Sequence, residues 1–185
     1  MINTVCAYAA SSDGVASEYL EVAGRFGALL AARGHALVYG GGNCGLMGAV
    51  ARAVHGGGGQ VVGVIPEKLR AIELAYEGAD ELIVTAGIQE RKAIMAARGD
   101  AFVALPGGFG TLEEVLEIMV LNQLEYHHKP LVFLNVGGVY DGLLDYFDQL
   151  IAAKFVPVRS RGLYHVAETP EGVFAYFDEW VKANS

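Results

Sequence analysis

The sequence has few cysteines and no long apolar run, and each shortage excludes a class of protein. Two cysteines, Cys6 and Cys44, argue against a disulfide framework and are typical of a reducing cytoplasm. The apolar runs are short and interrupted by glycine, so none is long enough to span a bilayer. Residues 1–5 are not a basic segment followed by an apolar block, so no secretory signal is visible. We therefore expect a cytoplasmic protein with no membrane partner.

Basic charge is also scarce, because 13 Lys and Arg stand against 21 Asp and Glu and the net charge is −8. Proteins that bind nucleic acid usually present a basic patch, whereas the basic residues here are scattered, which argues against nucleic acid as a partner. A small anion is still acceptable, because backbone amides at the start of a helix bind it without net positive charge. The five histidines lack the spacing of a zinc site, so we expect no metal.

Hydrophobic residues make up 53% of the chain, enough for the core of one domain that covers residues 1–185. Continuous apolar segments alternate with helical patterns, which predicts an α/β fold: a doubly wound parallel sheet with helices on both faces, in three layers. The expected strands are 5–9, 36–39, 61–65, 81–84, 101–105, 131–135 and a short edge strand at 164–167. The expected helices are 16–33, 46–55, 88–98, 111–125, 139–154 and a last helix capped by Thr169.

Three glycines follow the strand expected at 101–105 and precede or open a helix. Because Gly107, Gly108 and Gly110 have no side chains, their backbone amides would be accessible at the start of the helix, where the helix dipole is also positive. This predicts a binding site for a phosphate. Thr111 and Glu114 in addition fit a capping box. Glu114 thus has two open interpretations: a cap for the helix, or an ionised carboxylate placed beside the ligand.

A second glycine-rich turn, residues 40–48, follows the strand expected at 36–39 and also opens a helix. It is similar to a dinucleotide-binding turn but differs in spacing, and no acidic residue closes the next strand to hold a ribose. Ligand contact by these glycines and close packing of Gly45 and Gly48 both stay open. Because both turns follow parallel strands, we expect them at one edge of the sheet, where the ligand crevice of such folds lies.

The helix expected at 88–98 places Arg91 and Met95 on one face. Its charged start has two interpretations: a solvated surface, or an approach of Arg91 to the phosphate or to Glu114. Met95 is a candidate for covering a nucleobase and equally for the core. Nothing in the sequence marks Lys92 as buried, which argues against a Schiff-base lysine.

In these three segments the chain resembles the cytokinin riboside 5'-monophosphate phosphoribohydrolases, the LOG family, which are often mislabelled as lysine decarboxylases. The family patterns PGGxGTxxE, GGGxxGLMG and ERKxxM match residues 106–114, 40–48 and 90–95. The resemblance implies a Rossmann-like homodimer without a cofactor. It also implies hydrolysis of the N-glycosidic bond of a nucleoside 5'-monophosphate, AMP or an N6-modified AMP, to free base and ribose 5-phosphate.

The resemblance also implies roles for individual residues. Glu114 and Arg91 would be the catalytic pair. The residues expected to bind the substrate are Gly107, Gly108, Gly110, Thr111, Lys92, Met95, Gly41 and Gly42. The alternative is a carrier that binds a nucleotide or the molybdenum cofactor without turnover, because such carriers share a similar fold and similar glycine loops.

Overall fold

The computed structural model describes residues 1–70, 72 and 74–184. The strands of this part of the chain are β1 (Thr4–Tyr8), β2 (Ala36–Tyr39), β3 (Val61–Pro66), β4 (Glu81–Thr85), β5 (Ala101–Ala104), β6 (Leu131–Leu134) and β7 (His165–Ala167). Its helices are α1 (Ser17–Ala32), α2 (Gly45–Gly56), α3 (Glu67–Arg70), α4 (Ile88–Arg98), α5 (Phe109–Gln123), α6 (Asp141–Ala152) and α7 (Pro170–Ala183). No helix within these described ranges is both long enough and apolar enough to cross a membrane.

The strands pair in parallel, in the order β4-β3-β2-β1-β5-β6-β7. The chain builds one half of the sheet outward from β1 to β4 and then returns to the other side of β1 with β5. The direction of winding therefore reverses between β1 and β5, and folds of this kind bind ligands at the carboxyl ends of the strands at such a point. The doubly wound parallel sheet predicted from the sequence is confirmed.

Alternate residues of β1 serve two separate cores. Val5 and Ala7 pack with buried side chains of α1, α2 and α7 on one face of the sheet. Cys6 and Tyr8 pack with buried and half-buried side chains of α4, α5 and α6 on the other face. Because a strand points successive side chains to opposite faces, one apolar run supplies both cores. Helices cover both faces, as the three-layer prediction required.

The start of α5 differs from the sequence prediction. The sequence predicts a helix from Thr111 and leaves a capping box of Thr111 and Glu114 open, but α5 begins at Phe109 with Gly108 as its N-cap. Thr111 is therefore the third residue of the helix and cannot be the N-cap of a capping box with Glu114. The last helix, α7, does begin as predicted, with Thr169 as its cap.

Candidate active site

The loops that follow β1, β2 and β5 meet at the carboxyl edge of the sheet. The Ala10 amide donates a hydrogen bond to the Pro106 carbonyl at 3.1 Å, and the Ala10 carbonyl accepts one from the Met47 amide at 3.2 Å. The loop after β1 is thus bound both to the turn before α5 and to the first turn of α2. The structure brings the two glycine-rich turns to one edge, as the sequence predicted.

The three glycines at the start of α5 have different surroundings. A Cβ atom at Gly107 would lie 2.1 Å from the hydroxyl oxygen of buried Thr111, so local packing requires glycine there. A Cβ atom at Gly108 or Gly110 would meet nothing within 4 Å, and both residues are exposed without a positive φ. The protein's own packing therefore does not require glycine at 108 or 110. The space beside them is open at the positive end of the helix.

Close packing explains several glycines of the turn before α2. A Cβ atom at Gly40 would lie 1.9 Å from Nη2 of Arg91, and one at Gly48 would lie 2.0 Å from the Asn43 carbonyl oxygen. Gly45 has a φ of +54°, in the left-handed region that disfavours other residues. The packing interpretation therefore accounts for these three glycines.

Gly41 and Gly42 are bonded to a short segment of the chain, residues 74–76. The Gly41 carbonyl accepts a hydrogen bond from the Tyr76 amide at 2.9 Å, and Gly42 forms an isolated antiparallel bridge with Ala75. Both glycines are buried, and the φ of Gly41 is +78°. Their contact with a ligand stays a prediction.

The start of α2 already holds a carboxylate of the protein. Oδ1 of Asp13 accepts a hydrogen bond at 2.7 Å from the amide of Gly45, the first residue of α2. A carboxylate at this position interacts favourably with the positive end of the helix dipole. The N-cap of α2 is Cys44, and the N-cap of α5 is Gly108, which has no side chain. Sequence analysis missed Asp13, because it lies 32 residues before its partner and in another loop.

Arg91 is the buried cation of the site, with only 8% of the residue exposed. Its Nε donates to the Val64 carbonyl at 3.0 Å, and its Nη2 donates to the Gly40 carbonyl at 3.1 Å. Its Nη1 lies 3.6 Å from Oε1 of Glu114, and the two side chains are 10% and 12% exposed. Burial excludes the solvated-surface interpretation, and the structure shows the pairing of Arg91 with Glu114 that the sequence left open.

The path of α4 explains how Arg91 reaches this position. This helix leaves the edge strand β4, crosses the sheet against β3, β2 and β1, and returns to the central strand β5. Arg91 lies in its first turn and therefore meets carbonyl groups at the ends of β2 and β3. Glu114 lies in the second turn of α5, which follows β5. The ion pair thus joins two helices on the same face of the sheet.

The side chains of Lys92 and Met95 do not take part in the contacts that Arg91 makes with the turn before α2 and with Glu114. Lys92 forms ion pairs with Glu113 and, at 2.5 Å, with Glu117 of α5. Burial lowers the pKa of Lys92, but the hydrogen bonds that its ammonium donates to the two carboxylates outweigh this effect, and the pKa is above its usual value. A protonated amine does not form a Schiff base. Met95 has no exposed surface and packs in the core; substrate contacts of Lys92 and Met95 stay predictions.

The buried thiol below the ion pair is chemically inert. Burial raises the pKa of Cys6 to about 12, and the nearby charge of Glu114 adds to the rise. Thiolate chemistry at Cys6 is therefore excluded at physiological pH. Within the described residues, no group of three His, Cys, Asp or Glu side chains could hold a metal ion.

The fold and this site define a Rossmann-like α/β protein whose glycine-rich turns meet at the switch point of its sheet. A family model described as possible lysine decarboxylase matches residues 47–177. Over 177 residues the chain is 46% identical to the probable cytokinin riboside 5'-monophosphate phosphoribohydrolase LOGL5 of Oryza sativa subsp. japonica, covering 96% of this chain and 72% of that protein. It is 43% identical to the cytokinin riboside 5'-monophosphate phosphoribohydrolase LOG4 of Arabidopsis thaliana, covering 95% and 82%.

Among solved structures, the molybdenum cofactor carrier protein of Chlamydomonas reinhardtii has a TM-score of 0.76 and 25% identity, covering 98% of this chain and 99% of that chain. The sequence matches are stronger and decide the family. The chain belongs to the cytokinin riboside 5'-monophosphate phosphoribohydrolase (LOG) family.

Proposed function

We propose that the protein hydrolyses the N-glycosidic bond of a nucleoside 5'-monophosphate and releases the free base and ribose 5-phosphate. One observation carries this proposal: the Arg91–Glu114 pair lies next to the open, glycine-lined start of α5. Relatives at 43–46% identity that are named for this reaction on cytokinin riboside 5'-monophosphate support it. AMP and N6-modified AMP are both proposed substrates, because they share the ribose and the phosphate.

The 5'-phosphate would bind at the start of α5. The first amides of a helix have no acceptor within the helix, and the dipole favours an anion there. Gly108 and Gly110 are free of local steric demands, so their lack of side chains leaves room for phosphate oxygens. The start of α2 is the less favourable site, because the Asp13 carboxylate already accepts from its first amide. Two like charges at one helix start would repel each other.

Glu114 would act at the sugar. As the bond between the base and C1' stretches, positive charge builds on the ribose. The ionised carboxylate stabilises this charge and accepts a proton from the attacking water, whose oxygen adds to C1'. The bond to the base breaks, the base takes up a proton from the solvent, and Glu114 later releases its own proton to the solvent, so that one water is divided between ribose and base. The phosphate, held one helical turn away, positions C1' for this step.

Arg91 would hold Glu114 in its ionised form and in place. A guanidinium close to a carboxylate favours the charged state of that carboxylate. Hydrogen bonds to the Val64 and Gly40 carbonyls fix the guanidinium itself. The cation therefore acts on the substrate through Glu114, which faces it at 3.6 Å.

A carrier without turnover is the second candidate, and the likeness to the molybdenum cofactor carrier at a TM-score of 0.76 favours it. A carrier needs the anion site but has no use for a buried arginine–carboxylate pair. The pair therefore favours the enzyme over the carrier.

The decisive experiment is incubation of the protein with AMP, N6-isopentenyl-AMP and adenosine, followed by chromatography of the free base. We expect base to be released from both monophosphates and far more slowly from adenosine, because adenosine lacks the group that binds at α5. Binding of AMP, measured by calorimetry, without release of adenine from any monophosphate would replace the enzyme with the carrier.

A homodimer and a cytoplasmic location complete the proposal. Exposed apolar side chains on α5 and at its C-cap provide a surface for a second copy of the chain: Leu116, Val120 and Leu124. Light scattering coupled to size-exclusion chromatography would give twice the mass of 19.6 kDa if this holds.

A further inference from the structure

Tyr140 connects the loop after β6 to the turn before α5. This tyrosine precedes α6, and only 3% of it is exposed. Its hydroxyl donates a hydrogen bond to the Leu105 carbonyl at 2.5 Å. The phenol is thus tied to the residue that precedes Pro106. Burial raises the pKa of Tyr140, so the hydroxyl keeps the proton that it donates.

The phenol is itself held firmly. The Tyr140 amide donates to Oδ1 of Asn135 at 2.7 Å, and the Asn135 side chain donates to Asp141 at 2.7 Å. Its ring packs edge-on against Phe133 of β6, with centroids 5.2 Å apart. Backbone, side chain and ring are therefore all fixed by the neighbouring strand and loop.

We propose that Tyr140 is a positioning residue for the phosphate site, an inference that rests on the proposed function. Pro106 has no amide hydrogen, so this turn is held through its carbonyl groups, from Ala10 at Pro106 and from Tyr140 at Leu105. The hydrogen bond from Tyr140 to the Leu105 carbonyl fixes the direction of this turn and thereby the direction of the amides that follow.

The test compares Tyr140→Phe with Tyr164→Phe in the full chain. Tyr164 packs edge-on against the same Phe133 ring, with centroids 5.5 Å apart, and therefore controls for ring packing. Calorimetry would measure the affinities for ribose 5-phosphate and for adenine, and initial rates would give kcat and KM for AMP.

For Tyr140→Phe we expect the affinity for ribose 5-phosphate to fall about tenfold and KM for AMP to rise about tenfold, which corresponds to the loss of about one well-placed hydrogen bond. The affinity for adenine and kcat should stay within about threefold, because the phenol does not act on the base or on the bond that breaks. Tyr164→Phe should match the unaltered protein in all four quantities.

Unchanged affinity for ribose 5-phosphate in folded Tyr140→Phe would overturn the inference. Equal losses of affinity for ribose 5-phosphate and for adenine would also overturn it, because they would show that the substitution disturbs the whole binding site. If Tyr140→Phe does not fold, Pro106→Gly loosens the same turn with the phenol intact, and unchanged ribose 5-phosphate affinity in that variant would also overturn it. Ribose 5-phosphate binding without adenine release from AMP would end the proposed function while the comparison of affinities still decides the role of Tyr140. A protein that binds no ribose 5-phosphate contradicts both proposals.

Discussion

Arg91 occupies the space that a side chain at Gly40 would need, because a Cβ atom there would lie 1.9 Å from Nη2 of the arginine. The same Nη2 donates to the Gly40 carbonyl at 3.1 Å. A glycine of the turn before α2 is therefore part of the support for the ion pair with Glu114. The two glycine-rich turns serve one site in different ways: one makes room for a protein side chain, and the other leaves space open.

Gly40→Ala should displace Arg91 and lower kcat/KM for AMP by about tenfold to a hundredfold, because misplacement by about 1 Å has effects of this size. Steady-state kinetics would measure the loss, and circular dichroism would check that the protein is folded. Gly24→Ala is the matched control, because a Cβ atom at Gly24 in α1 would meet nothing within 4 Å. Unchanged kcat/KM in Gly40→Ala would show that the position of Arg91 does not matter for the reaction.

Glu114→Gln should leave the fold intact and lower kcat with AMP by about 10²- to 10⁴-fold, because glutamine can neither accept a proton nor stabilise positive charge as an anion does. Glu117→Gln serves as the control: Glu117 lies on the same helix, and its loss leaves Glu113 to pair with Lys92. The measurement is adenine release at saturating AMP. Near-normal turnover in the Glu114 variant would remove the carboxylate from the mechanism.

Gly110→Ala should raise the stability of the protein and weaken its affinity for AMP. Alanine is favoured over glycine within a helix by about 1 kcal/mol, and a Cβ atom at Gly110 meets no protein neighbour within 4 Å. The new methyl group would instead occupy the space proposed for the phosphate. Gly142→Ala, at a similarly open position in α6, should give the stability gain alone. Urea unfolding and calorimetry measure the two effects, and equal AMP affinity in both variants would contradict this location.

Stability should fall as the pH drops below about 6.5, because burial lowers the pKa of three histidines from the usual value of 6.5. They are His35, His127 and His165. The unfolded chain takes up these protons at a higher pH than the folded protein, so their stabilising contribution is complete above 6.5 and is lost below it. Melting temperatures between pH 8 and pH 5.5 would show the fall, and His35→Gln should reduce it. A flat profile over this interval would contradict the prediction.

The sheet and the meeting of the two glycine-rich turns at its carboxyl edge could be predicted because their signals are local. Apolar runs of four to six residues alternate with helical patterns, and glycine clusters mark the two turns. The pairing of Arg91 with Glu114 was one alternative among several. A sequence does not show which strands a crossover helix such as α4 packs against.

The start of α5 and the cap of α2 could not be predicted for different physical reasons. Thr111 has the sequence pattern of an N-cap, but the helix begins earlier, at Phe109. The side chain of Thr111 packs against Gly107 instead, where the lack of a Cβ atom leaves room for it. Asp13 caps α2 from another loop, a contact that only the folded chain creates. The same is true of Tyr140, whose hydroxyl meets the backbone of Leu105 across 35 residues.

Glu114 and the glycines at the start of α5 belong to one helix, and this has a consequence for the choice of substrate. A rise of about 1.5 Å per residue sets the spacing from Gly110 to Glu114 along the helix axis. In the proposed binding mode, the helix therefore sets the distance between the Glu114 carboxylate and the 5'-phosphate. We expect nucleotides phosphorylated at the 3' hydroxyl to be poor substrates, because their geometry differs from that of 5' esters.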